Sequence, residues 1–389
     1  MSEVRVNNLS NESLSGGPTI SGITTFSSPY FFVPPQGDTA SRPQDCPSGS
    51  LRFNTDSAKL EYYKGDTIGW VEIDATNEEM GGGTGSNTGF GTRAILMGGL
   101  KNQQPSPVAT DEIDYYTIST LGNTQDFGNL STALYGGSMS GTVASRTRGF
   151  LGGASPNPGN NIIEKLEIAT TGSSMNFADM QKTRYTNANH SNQTRGLFMG
   201  GYVTPAYDSQ IDYFTMATQA NAIDFGDVDV NTGFNAGGGN TTRALLLGGV
   251  NMIGDVKGVI ISTLGNTQDF GSLTNARHGS PGGCSSSTKV LVAGGNLQPS
   301  NSKTGNIESY ITASNGTATS FGTLTASRSY GLGGCGDHVR ATFGGGYTPT
   351  QVDIVDYVQF STGGTALDFG DLQSVKRGCV AVSNGHGGL

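Results

Sequence analysis

A cation opens a short apolar run six times along the chain, at Arg93, Arg148, Arg195, Arg243, Lys289 and Arg340. Gathered about one axis, six such groups could bind an anion. A guanidinium fork can equally bond a nearby carboxylate or carbonyl. The residue before a recurrent Phe favours the second use. It reads Asp126, Asn176, Asp224, Asp269, Ser320 and Asp368, so each Asp falls in an Arg unit and the one Lys unit has Ser. The six cations are therefore expected to form a structural ring.

Other reactive residue types do not assemble into a centre. His190, His278, His338 and His386 show no spacing that suits zinc or copper, so neither a metal nor another cofactor is expected. Cys46, Cys284, Cys335 and Cys379 form no CxxC pair and are expected to be reduced thiols, with Cys284 and Cys335 at equivalent places seven residues after an Arg. Asp-Phe-Gly occurs at 126–128, 224–226, 269–271 and 368–370. The metal-binding tripeptide of a kinase occurs once, beside a catalytic loop and an ATP-site Lys, so four evenly spaced copies predict a strand and a turn. The glycines at 81–91 lack the Gly-Lys-Ser/Thr ending of a phosphate loop.

The elements that must position these residues follow from composition and repetition. Glycine supplies 61 of 389 residues, against an ordinary share of about 7%. Charged residues are only 14% and the net charge is −9, which argues against nucleic-acid binding, helical bundles and charge-driven disorder. No apolar run is long enough to span a bilayer, and Met1–Arg5 lacks the pattern of a secretory signal. Each cation leads through an apolar run to a glycine pair, read as 98–99, 152–153, 200–201, 248–249, 294–295 and 344–345. A second landmark follows at a regular lag, at Phe127, Phe177, Phe225, Phe270, Phe321 and Phe369. Both recur with a period of about 48 residues, the length of a four-stranded propeller blade.

These residues resemble kelch repeats: an apolar strand with Gly-Gly, a strand after a variable loop, an aromatic before a short strand, then often Arg, as at Arg184, Arg277, Arg328 and Arg377. Kelch units usually carry Trp where this chain has Phe, and Trp70 lies outside the repeats. The resemblance implies an all-β fold in which residues 90–389 make a six-bladed kelch-like β-propeller. The first unit lacks a leading strand, and the run Gly378–Val382 is expected to supply it, so that both ends of the domain share one sheet.

Upstream, residues 1–45 read as an extended attachment arm with a strand-like patch at 30–33. Residues 46–76 read as a small three-stranded meander and 77–89 as a glycine-rich linker. The stretch from Gly49 to Tyr63, closed by Gly69-Trp70, is similar to a small module of tailed-bacteriophage virion proteins, especially tail fibres and appendages. That resemblance implies a virion location, contacts to other virion proteins through residues 1–76, and several copies per particle.

The loops after the glycine pairs should emerge on one face and are rich in Asn, Gln, Ser, Pro and Tyr. Amides match sugar hydroxyls and Tyr faces stack on sugar rings. Tyr202, Tyr207, Asn296, Gln298 and Tyr347 are the ligand-binding candidates. The resulting expectation is a non-enzymatic virion structural protein that binds host-surface glycans or virion proteins, without membrane insertion. A bacterial surface kelch-like lectin and a propeller glycan hydrolase or lyase are the rival readings.

Overall fold

Thr, Val, Ile, Tyr and Phe between glycine turns favour strands, and strands are the only regular elements among the described residues of the computed structural model. Those residues are 34–44, 46–57, 59–73, 92–101, 106–136, 141–155, 160–252 and 254–389. The expected strand at 30–33, most of the arm, the linker 77–89 and parts of the first two loops lie outside them. None of the described residues forms a helix long and apolar enough to cross a membrane. The chain divides into two compact units, Met1–Glu78 and Glu79–Leu389.

In the first unit, Leu51–Asn54, Lys59–Tyr63 and Trp70–Glu72 form an antiparallel meander. Gln36–Gly37 adds a fourth, parallel strand that the sequence pattern did not suggest. The meander buries Glu61 completely, and Arg42 at 2.6 Å and Arg52 at 3.4 Å compensate its charge. The Trp70 indole N–H donates to the Pro43 carbonyl at 3.1 Å and ties the preceding chain to the sheet.

The second unit repeats one small sheet. The third sheet shows the pattern: Ala188–Ser191, Arg195–Val203, Ala206–Thr215 and Ile223–Thr232 pair in order, all antiparallel. The fourth, fifth and sixth sheets run likewise, opening at Ala236–Gly239, Gly282–Ser285 and Gly333–Gly336. In the second, a single bridge between Ala144 and Gly149 stands in for the opening strand. In the first sheet the opening strand is Val380–Ser383, from the far end of the chain, which pairs with Arg93–Met97. Opening strands are buried throughout and hold small residues because backbones meet there: a Cβ on Gly334 would lie 2.6 Å from the Gly283 carbonyl.

The Asp-Phe-Gly tripeptides acquire a structural reason. Phe127, Phe225, Phe270 and Phe369 are buried, while the preceding Asp points outward. The glycine lies beneath a turn of the following sheet; a Cβ on Gly128 would sit 2.5 Å from Gly172 O. The glycine pairs also take left-handed geometry, with φ of 62° and 116° at Gly200 and Gly201. Two pairs read from the sequence start one residue early, since the left-handed turn falls on Gly153 and on Gly345–Gly346.

Two sets of contacts join each sheet to the next, a third joins four of the six neighbouring pairs, and all three include a link from the sixth sheet to the first. The cations named above form one. Arg93 donates to the carbonyls of Ile168 and Ala169, Arg148 to Met216, Arg195 to Ile261, Arg243 to Thr312 and Ala313, Lys289 to Phe360, and Arg340 to Ile118 and Ser119. Their partners in the next sheet are thus carbonyls, and Arg148 also meets Glu167 of its own sheet at 3.3 Å. The Asp before each Phe does not fill that role, because it faces solvent while the guanidinium lies over a ring, as Arg243 does over Phe270 at 4.9 Å.

A second set is made of backbone alone. Gly136, Thr186, Phe234, Ser280, Tyr330 and Gly378 all have positive φ, between 48° and 70°. The N–H of each donates to the carbonyl of the equivalent residue one sheet earlier, or to its neighbour in sequence, over 2.8–3.2 Å, and the series closes from Gly136 back to Gly378.

Buried ion pairs make the third set. Arg184–Asp212 and Arg328–Asp356 meet at 2.6 Å, Arg277–Glu308 and Lys376–Asp114 at 2.5 Å. The cation at the end of the repeat is therefore Lys376 in the sixth copy, and not Arg377 as the sequence suggested.

The C-terminal segment after Ser383 lies across the ends of several opening strands. Gly387 N–H donates to Ser285 O at 2.8 Å, and His386 Nε2–H donates to Ala144 O at 3.0 Å. His386 and His190 meet edge to face, their ring centroids 5.7 Å apart. Burial lowers His190 from 6.5 to about 4, and burial with the nearby His190 lowers His386 to about 3. Both imidazoles fold neutral, so the unfolded chain takes up more protons below pH 6.5. The melting temperature should accordingly fall as pH drops from 6.5 toward 4, and fall less steeply in His386→Asn. An unchanged pH slope in that variant would place the acid sensitivity elsewhere.

Candidate functional site

The ends of the sheets that carry the glycine pairs gather aromatic side chains around the closed backbone ring. Tyr202 and Tyr207 face each other across the hairpin of the third sheet, with ring centroids 5.2 Å apart. The hairpin tip is held by the Tyr202 hydroxyl, which donates to Pro205 O at 3.0 Å. Tyr185 lies 5.3 Å from Tyr202, and Phe234 lies 6.3 Å from Tyr207. The result is a contiguous patch of four half-buried rings, tilted or edge on to one another. Burial, together with the neighbouring tyrosines, raises Tyr185 and Tyr207 above 10.0. Their hydroxyls remain protonated at neutral pH and can both donate and accept.

Tyr347 belongs to a second group on the same ring. Its backbone exchanges two hydrogen bonds with Ser329, at 3.1 and 2.9 Å. Its ring lies 6.0 Å from Tyr330, a member of the backbone ring. Ser280 alone separates Phe234 from Tyr330 in the hydrogen-bonded series, so the two aromatic groups border one rim.

The remaining candidates fare differently. Asn296 is 2% exposed, paired with His278 in a short strand and packed against Gly279, so its amide is not offered to a ligand. That expectation is corrected: the loop begins at Gln298, two residues later than the sequence suggested, because Asn296–Leu297 form a strand. Gln298 is half-buried beside it, its backbone N–H bonded to Ala276 O at 2.9 Å. Tyr185, Phe234 and Tyr330 were missed. Each lies at or next to a left-handed residue that launches the following opening strand, and the signal was an aromatic two or fewer residues from Arg184, Thr232 or Arg328.

Five carboxylates inside the sheets are committed to structure. Asp114, Asp212, Glu308 and Asp356 are each bound to a buried cation, and Glu164 accepts hydrogen bonds from the hydroxyls of Ser131 and Ser174. Among the described residues no three His, Cys, Asp or Glu side chains are grouped to hold a metal. Cys284, Cys335 and Cys379 are buried free thiols, pushed upward by burial, Cys335 to about 12.

At the opposite ends of the sheets, two shallow pockets of about 360 and 340 Å³ occupy equivalent places. They are built on identical segments, Ile118–Gly128 and Ile261–Gly271. Both are lined mainly by turn residues with an exposed Leu121 or Leu264; the first also includes Arg243, Asp269 and Phe270, and the second Tyr115 and Tyr116. The chain matches no protein-family model and no curated protein.

Proposed function

We propose that residues 90–389 form a six-bladed kelch-like propeller that serves as a non-enzymatic glycan-binding part of a tailed-phage virion. The propeller reading is supported by six like sheets and by three series of contacts that each return from the sixth sheet to the first. The meander of residues 51–72 supports the virion reading through its resemblance to a phage module, and residues 1–76 would attach to neighbouring virion proteins. The observation that carries the binding function is the tyrosine-lined rim. Tyr185, Tyr202, Tyr207 and Phe234 present apolar ring surface beside hydroxyls, the combination that stacks on a sugar and bonds its hydroxyl groups. Binding would rest on rigid display: the backbone ring fixes the rim, and several copies on one particle would multiply weak contacts.

Two experiments test this reading. Tyr202→Ala and Tyr207→Ala should each weaken binding to host envelope glycans by about tenfold or more, on the scale of one lost aromatic stacking contact. Both variants should melt near the wild-type temperature. Undiminished glycan binding by the double variant would defeat the assignment of the rim. Mass spectrometry of purified particles should find the chain; its absence from them would defeat the virion reading.

A further inference from the structure

Around Tyr347 two cations converge on one ring. The Lys303 ammonium lies 4.9 Å from its centroid and the Arg377 guanidinium 4.8 Å, while Arg377 also lies 5.9 Å from the Tyr330 ring. Among the described residues, neither cation has a carboxylate partner. This is unusual in a chain of net charge −9, in which the other cations near this rim are paired: Arg184, Arg277, Arg328 and Lys376 with buried carboxylates, Lys182 with Asp208.

Each member of the group is also held from behind. Lys303 stands on a short hairpin strand paired with Asn296–Leu297, itself paired with Arg277–His278. Tyr347 is locked to Ser329 by two backbone bonds, and Tyr330 sits in the left-handed ring with φ of 59°. Arg377 lies between Lys376, anchored to Asp114, and Gly378, another ring member. Two like charges thus flank one ring, 4.9 and 4.8 Å from its centre, in a half-exposed place. An anion would complete such a site, lying against the two cations that cover the tyrosine rings.

We infer that Lys303 and Arg377, with Tyr330 and Tyr347, form a subsite for the carboxylate of an acidic saccharide, a uronic or similar sugar acid. Arg377 supplies the fork that matches a carboxylate in two bonds, Lys303 a second positive charge, and the tyrosines orient both cations and offer hydroxyls to the sugar. This rests on the glycan-binding reading of the rim and names the class of sugar.

The test uses the full chain and four polymers: hyaluronan, hyaluronan with its carboxylates reduced to alcohols, neutral dextran and dextran sulfate. Hyaluronan should bind at least tenfold more tightly than its reduced form, and Arg377→Gln and Lys303→Gln should each remove most of that preference. Arg377→Lys should retain part of it. Equal binding of native and reduced hyaluronan, or full preference in Arg377→Gln, would overturn the subsite. So would dextran sulfate binding as tightly as hyaluronan, since the patch would then accept any anion. If the neutral and reduced polymers bind and depend on Tyr202 while no carboxylate preference appears, the subsite fails and the rim stands. If no glycan of any kind binds, both fail together. Circular dichroism and melting of each variant separate a lost ligand contact from a lost fold.

Discussion

Deletion of residues 376–389 abolishes cooperative unfolding of the second unit or lowers its melting temperature drastically. The segment gives the first sheet its opening strand, Val380–Ser383, whose residues are all buried. Val380 and Val382 alone bury side chains worth about 1.5–3 kcal/mol each. Removing Lys376 also strands Asp114, 1% exposed, without its cation, a loss of about 3–5 kcal/mol. The backbone ring loses Gly378, which both accepts from Gly136 and donates toward Tyr330 and Gly331. Together these approach the whole stability of an ordinary domain, about 5–15 kcal/mol. A shortened chain that melts at the wild-type temperature would show that the pairing of 380–383 with 93–97 contributes nothing, and the ring closure proposed for the domain would fall with it.

The repeat was legible because its two landmarks answer to different physical demands. The glycine pair is needed for a left-handed turn, and the buried Phe with its following Gly for contact with the next sheet. Neither demand can be met by an arbitrary residue, so both recur. The missing strand of the first sheet was legible for the opposite reason: a run of apolar residues, Cys379 to Val382, stood at the end of the chain without partners in its own repeat. The parallel strand at Gln36–Gly37 was not, since two residues carry no period. The rim was only partly legible. Tyr202, Tyr207 and Tyr347 fall in variable loops, where composition is informative, whereas Tyr185, Phe234 and Tyr330 reach the rim through a backbone ring with no residue preference: Gly, Thr, Phe, Ser, Tyr and Gly all occupy it. Asn296 misled because a polar residue after a glycine pair reads as loop, although the hairpin it belongs to buries it.

The buried ion pairs hold the second large prediction, and the chain itself contains the control. At the carboxylate position the six sheets read Asp114, Glu164, Asp212, Lys257, Glu308 and Asp356; at the cation position they read Lys376, Leu134, Arg184, Thr232, Arg277 and Arg328. Where Leu134 removes the cation, Glu164 turns to the hydroxyls of Ser131 and Ser174. Where Thr232 removes it, the acid is replaced as well, and Lys257 pairs with Asp229 at 2.8 Å. The position tolerates loss of a cation only when the carboxylate is satisfied or exchanged, as expected for a charge that cannot stay buried alone. Arg328→Met should therefore cost about 3–5 kcal/mol by denaturant unfolding. Arg328→Met with Asp356→Leu should recover only the share of that loss due to the stranded carboxylate. Arg328 Nη1 also donates to Gly345 O and Ile354 O, both at 2.8 Å, and those bonds to a charged donor are worth about 1.5–3 kcal/mol each. Gly345 opens the left-handed turn that leads into Tyr347. The double variant should for that reason regain part of the stability, and if the proposed glycan reading holds it should still bind glycans more weakly than the wild type. Equal losses of stability in the single and double variants would mean that Arg328 acts through its carbonyl bonds alone and that its pairing with Asp356 contributes no net stability.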